Sequence, residues 1–155
     1  MKREEIIHAI VDNLREMSTQ TIMFHQRVAD VLGLHITDHK SLDILYRYGA
    51  MPAGRLGELT GLTTGAITGT IDRLEKAGHV KRTNDPKDRR RIIVEPAGNK
   101  KLEKKIEGIF IPLHERMHKL LSSYSDIELA FLLDAMTEFL KLTREESEEL
   151  RSRGK

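Results

Sequence analysis

The sequence holds no cysteine and no tryptophan, and its aromatic side chains are limited to four phenylalanines and three tyrosines. Without cysteine there can be no disulfide scaffold, no thiolate zinc site, no cysteine nucleophile and no thiol-based peroxide sensor, and the composition suits a reducing cytosol. Without tryptophan and with few other rings, a single-strand nucleic-acid binder built on stacked bases is disfavoured. Apolar runs stop far short of the roughly 18 consecutive residues that a spanning helix needs. Nor is the chain a low-hydrophobicity disordered one, with 39% apolar and 32% charged residues. The start, Met1-Lys2-Arg3-Glu4-Glu5, has acids where an export signal would be apolar, so a cytoplasmic protein is expected. G-x-S-x-G, G-x-x-x-x-G-K-[ST] and G-x-G-x-x-G are all missing, and Gly61, Gly65 and Gly69 fall in a helical pattern rather than a phosphate loop.

What remains is a 155-residue chain, enough for one soluble domain or two small units sharing a core. Its net charge of +2 is unevenly spread. Residues 73 to 91 carry eight bases (Arg73, Lys76, Lys81, Arg82, Lys87, Arg89, Arg90, Arg91) against three acids, a local +5 that leaves −3 for the rest. A basic centre between acidic flanks is what a polyanion-binding element attached to a second function looks like, although a solvated charged surface gives the same count.

From Ile6 to Leu32 apolar residues recur at three-and-four spacing, so one long amphipathic helix is expected, ended by Gly33. Thr37 is the expected N-cap of a second helix running to Gly49. A short third helix starts with Pro52 near its first turn, buries Leu56 and Leu59, and stops at Gly61. Thr63 caps a fourth, with Leu62 and Ile67 as a hydrophobic staple and Ala66, Ile67, Ile71 and Leu74 as its inner stripe up to Gly78. The pattern then changes to two β-rich pieces, 79–83 and 90–95, joined by the turn formers Asn84-Asp85-Pro86-Lys87-Asp88, which reads as a basic hairpin. Beyond Pro96 a long helix is expected to kink at Pro112. Ser125-Asp126-Ile127-Glu128 is a capping box that opens a last helix, and the charged tail from Arg144 is expected to fray.

The first and last helices carry more apolar surface than a chain of this size easily buries alone, which implies a homodimer; packing of those helices on the centre of one monomer is the alternative. Residues 52 to 78, a short helix, a Gly61-Leu62-Thr63 turn and a longer helix, have helix-turn-helix spacing. A basic hairpin directly afterwards makes it a winged helix. The fold class is therefore mainly α with a small β-hairpin wing, a winged helix-turn-helix flanked by N- and C-terminal dimerisation helices. Its expected divisions are 1–34 (N-terminal dimerisation helix), 35–96 (DNA-binding domain) and 97–155 (C-terminal dimerisation helices).

Three stretches, Leu56 to Thr68, Ile71-Asp72-Arg73-Leu74-Glu75-Lys76-Ala77-Gly78-His79-Val80 and Asp85-Pro86-Lys87-Asp88-Arg89-Arg90-Arg91, together with the order of elements over nearly the whole chain, resemble the MarR family of transcriptional regulators. The most specific part is the wing signature, an aspartate followed two residues on by arginine, on Asp88 and Arg90. That resemblance implies a homodimer, a recognition helix in each of two successive major grooves of a pseudo-palindromic double-stranded operator, and wing arginines in the minor groove. It also implies repression by blocking polymerase, and control by a small, lipophilic effector.

The physical reading of the residues agrees. Thr63, Thr64, Gly65 and Thr68 offer hydroxyls to phosphates or base edges, and Gly65 and Gly69 allow close backbone approach. Arg73 and Lys76 suit phosphate contact, and Arg82, Lys87, Arg89 and Arg91 on the hairpin are further DNA-binding candidates. Arg90, held by Asp88, is the candidate for minor-groove insertion, against the alternative of a surface ion pair that stiffens a turn. The chain has Gly69 where relatives often carry arginine or lysine, which shifts specificity toward the wing and DNA shape.

His114-Glu115-Arg116-Met117-His118 is a literal H-E-x-x-H, two imidazoles on one helical face with a glutamate available as general base. A zinc hydrolase needs a third ligand, for which Glu138 is the conceivable substitute, and a substrate cleft that the chain is too small to hold beside a winged helix. A zinc-responsive regulator using His114 and His118 with His35 or His39 is the other reading; ordinary polar positions on helices are the third. No cofactor and no enzyme activity are expected.

Overall fold

The computed structural model describes residues 1–85, 88 and 91–153. They divide into two compact units, Met1–Ile109 and Phe110–Lys155. Among the described residues no helix is long and apolar enough to cross a membrane.

The first unit begins with α1 (Arg3–Leu32), whose acidic first turn suits the helix dipole. Gly33 closes it in the left-handed region at φ 70, where Leu34 N–H bonds to Ala29 O at 2.9 Å. Only its last turn is buried, through Val28, Ala29 and Leu32. In α2 (Ile36–Tyr48) the cap differs from expectation. His35, not Thr37, is the N-cap, and its imidazole accepts from Thr37 N–H at 3.3 Å. The backbone turns helical two residues earlier than the threonine suggested, so a ring nitrogen takes the place of a hydroxyl.

A two-residue strand, β1 (Met51–Pro52), precedes α3 (Ala53–Thr60). Thr63 caps α4 (Thr64–Lys76), accepting from Ala66 N–H at 3.3 Å as expected. The hairpin strands are β2 (Val80–Asn84) and β3 (Ile92–Pro96), and the antiparallel order is β1-β3-β2. Arg82 sits opposite Val94 in the β2–β3 ladder, and Met51 opposite the same valine on the other side. The first turns of α5 (Lys100–Leu121) return to the unit, where Asn99 donates to Gly78 O at 3.3 Å and Leu102 is buried.

Leu42, Leu45, Leu56, Ile71, Leu74, Val80 and Val94 form the centre of the core, all but excluded from water. Two expected core positions lie elsewhere. Leu59 is 39% exposed: on an eight-residue helix the face that carries Leu56 meets α2, α4 and β1, and Leu59 falls to its side. On α4 the buried set is Ile67, Thr70, Ile71 and Leu74, and Ala66 is exposed. At about 100° per residue Ala66 lies a quarter-turn off that stripe, and Thr70 takes the inner place.

The second unit holds the rest of α5 and α6 (Asp126–Arg153). Pro112, expected to kink α5, lies within it, and the helix continues to Leu121. The capping box forms as expected, with Ser125 N–H donating to Glu128 at 2.8 Å and Glu128 N–H to Ser125 Oγ at 3.4 Å. Ser125 Oγ also donates to the Glu128 carboxylate at 2.7 Å, and this bond, with that from Ser125 N–H, holds the Glu128 carboxyl below its ordinary pKa. The tail expected to fray is helical to Arg153, which pairs with Glu149 one turn back. No residue of α6 is buried.

Candidate nucleic-acid interface

Four elements build the face that could meet a polyanion: α3, the 61–63 turn, α4 and the β2–β3 hairpin. Gly61 makes the turn in the left-handed region at φ 71, with Leu62 N–H bonded to Gly57 O at 3.1 Å. Gly57 lets α3 and α4 approach, since a Cβ there would stand 3.3 Å from Ile67 Cγ2. The first turns of α4 have a face exposed to solvent.

Thr63, Thr64, Gly65 and Thr68 are all exposed on those turns. Thr68 spends its hydroxyl proton on Thr64 O at 2.8 Å, which leaves its lone pairs to accept. Relative to the buried stripe, Gly65, Gly69 and Lys76 lie on the opposite side of α4, within about 30° of its outermost line. Lys76 is exposed and has no ion pair among the described residues. Its ammonium is open to a phosphate.

Arg73 is differently placed, about 70° round from that line and toward α2. Its Nε donates to Asp38 Oδ2 at 3.0 Å, and its Nη2 to Asp38 Oδ1 at 2.5 Å and to Thr70 Oγ1 at 3.1 Å. The bond to Asp38 holds the guanidinium above its ordinary pKa. Asp38 is 5% exposed, and Thr37 Oγ1 adds a contact at 3.3 Å.

Arg82 is also committed. Its guanidinium bonds Asp72 and Glu75 on α4, and its own backbone N–H donates to Glu75 at 3.0 Å. Burial pulls its pKa down, and the carboxylates more than offset this and raise it. Asp72 lies on the outer side of α4, so Arg82 covers an acid that would otherwise repel phosphate. Asp38, Asp72 and Glu75 were not legible as site residues, because a carboxylate's partner 35 or 10 positions away leaves no local pattern.

At the hairpin tip Arg91 N–H bonds to Asp88 O at 2.9 Å and Asp85 N–H to Arg91 O at 3.0 Å, closing the loop; Arg91 is exposed. Lys87, Arg89 and Arg90, and with them the expected Asp88–Arg90 contact, lie outside the described residues.

The histidines are distributed between structural tasks. His35 caps α2, and His39 meets His25 of α1, Nε2 to Nδ1, at 3.0 Å. Burial keeps both of those imidazoles below their ordinary pKa, with Asp43 acting in the opposite direction. His114 and His118 lie on α5, with His118 Nδ1 3.4 Å from Ser122 Oγ. Among the described residues no group of three or more histidines and carboxylates is disposed to hold a metal ion.

Residues 34–92 match the family model described as the MarR family. The chain is 42% identical over 149 residues, 96% of each protein, to the uncharacterized HTH-type transcriptional regulator YcgE of Bacillus subtilis (strain 168). Its fold is similar to that of a MarR family protein from Bacillus stearothermophilus, with a TM-score of 0.70 and 18% identity over 93% of this chain and 99% of that one. It is likewise similar to the transcriptional regulator BldR from Sulfolobus solfataricus, with a TM-score of 0.59 and 24% identity over 91% and 99%.

Proposed function

Because the chain belongs to the MarR family of transcriptional regulators, we propose that it acts as a homodimer that binds a pseudo-palindromic operator in double-stranded DNA, represses transcription there, and is released by a small-molecule effector. It is a transcriptional regulator and not an enzyme. The observation that carries the DNA reading is the α4 surface: hydroxyls of Thr63, Thr64 and Thr68, two glycines and Lys76 face outward beside a hairpin rich in arginine. Hydroxyls and bare backbone reach base edges and phosphates, while Lys87, Arg89, Arg90 and Arg91 bring positive charge to the minor groove. Residues 35–96 form the reading head in this scheme, and 1–34 with 97–155 the dimerisation region.

The homodimer is supported by apolar surface that water does not tolerate in such quantity. Ile127, Phe131 and Leu133 of α6 are 83%, 74% and 66% exposed, and Ile6, Ile10 and Met17 of α1 are exposed as well. A second copy, related by a two-fold axis, would cover such faces and set two recognition helices in major grooves one turn, about 34 Å, apart. The effector remains a class, a small lipophilic molecule, and the setting is the cytoplasm. Two substitutions test the reading on one operator duplex. Arg90→Ala should weaken binding, and Thr68→Val should alter sequence preference more than affinity. Unchanged binding by both contradicts it.

A further inference from the structure

Arg73 has the charge and the helix to be a phosphate contact, yet its Nε and Nη2 are turned to Asp38 and Thr70 and only Nη1 carries no bond to them. Its Nε and Nη2 grip both oxygens of Asp38 as a fork at 3.0 and 2.5 Å, and Nη2 also reaches Thr70 Oγ1 at 3.1 Å. The fork joins α4 to the first turn of α2, across 35 residues of sequence. Asp38 is 5% and Thr70 1% exposed, so two of the three members are fixed in the core; Arg73 is the half-exposed member, its side chain 52% accessible. Gly69 belongs to the same arrangement. A Cβ at residue 69 would stand 3.6 Å from Arg73 Nη1, in ordinary contact, so the guanidinium lies beside the bare backbone of this glycine.

We infer that Asp38 and Arg73 are positioning residues for DNA recognition: the two-pronged pair sets the angle at which α4 leaves α2, and Arg73 itself does not contact DNA. The inference rests on the DNA-binding reading above and assigns within it a role to Asp38, an α2 residue outside the recognition helix and wing. A planar fork on a carboxylate fixes direction as well as distance, which a lysine's single ammonium cannot reproduce. Asp38 lies next in sequence to His39, whose ring meets His25 of α1, so the pair also ties the seat of α4 to the helix that begins the chain.

The test compares an operator, selected from random-sequence DNA, with an unrelated duplex over a salt series, using full-length wild type, Asp38→Asn, Arg73→Lys, Arg73→Gln and the Asp38→Asn/Arg73→Gln double variant. Each single variant is expected to lose tenfold or more in operator affinity while affinity for the unrelated duplex changes less than threefold. The salt slope should stay within about 0.3 of wild type, where loss of one phosphate contact would lower it by roughly 0.9. The double variant should bind no more weakly than the weaker single one, since both remove one interaction. A slope reduced by about one in Arg73→Gln, with Asp38→Asn binding as tightly as wild type and Arg73→Lys restoring affinity, overturns the inference and makes Arg73 a phosphate contact. Should Asp38→Asn fail to fold, Arg73→Lys decides alone, because it keeps charge and reach and loses only the fork. Wild type that does not distinguish the two duplexes defeats the DNA reading, and the inference with it.

Discussion

Leu56 and Leu59 lie three residues apart on α3 and look alike in the sequence, yet their truncation should have very different costs. Leu56 is fully enclosed at 0% exposure, on the face of α3 that meets α2, α4 and β1, whereas Leu59 is 39% exposed. Leu56→Ala leaves a cavity that the surrounding core cannot fill, at a cost of roughly 2.5–5 kcal/mol. At Leu59 the lost methyl groups open to solvent and leave no void; only the transfer of the partly buried side chain is lost, about 1 kcal/mol. The gap between the two variants is then about 1.5–4 kcal/mol, or roughly 3–16 °C in midpoint for a chain of this size. Thermal and urea unfolding followed by circular dichroism would measure it, at one fixed protomer concentration because association shifts apparent stability. Neither side chain lies on the outer face of α4, so Leu59→Ala should keep its DNA affinity, and Leu56→Ala should keep it well below its lowered midpoint. Equal losses from the two substitutions, or a larger loss from Leu59→Ala, would refute the packing described for α3.

Thr63→Ala removes the cap of α4 and should cost about 1 kcal/mol, seen as a lowered midpoint by circular dichroism; an unchanged midpoint contradicts the cap. Acid should destabilise the fold through His25 and His39. Burial holds their folded pKa values below 6.5, so their contribution is complete above the unfolded value and is lost as pH falls through 6.5 toward the folded one. Each contributes a slope of up to about 1.4 kcal/mol per pH unit in that window, and urea titrations of His25→Gln/His39→Gln should show a flatter profile than wild type. Phe131→Asp places a charge on a face that is 74% exposed and should convert a dimer to monomer in sedimentation without loss of helix content; a variant that sediments like wild type takes α6 out of the interface.

Local chemistry made much of this fold legible. Gly33 and Gly61 end their helices in the left-handed conformation that only glycine adopts cheaply, and Thr63 and the Ser125–Glu128 pair cap where their side chains can reach a free N–H. What escaped is nonlocal. β1 is two residues containing a proline, too short to alternate, and it exists because β3 offers Val94 and Ile93 as partners. The roles of Arg73 and Arg82 escaped for the same reason: the sequence records that they are basic, and the fold decides that Asp38, Asp72 and Glu75 occupy them. A positive count along the chain therefore overstates the charge left unpaired, since Arg73 and Arg82 are each bound to carboxylates.

The central claim is that α4 and the hairpin read double-stranded DNA. Fluorescence anisotropy with the DNA upstream of the protein's own gene, titrated at several salt concentrations beside an unrelated duplex, tests it most directly. Tight binding to one duplex, weak binding to the other and a steep fall of affinity with salt are the predicted result. Weak binding that is equal for both duplexes, and equal again for every sequence in a random-sequence selection, would contradict the claim.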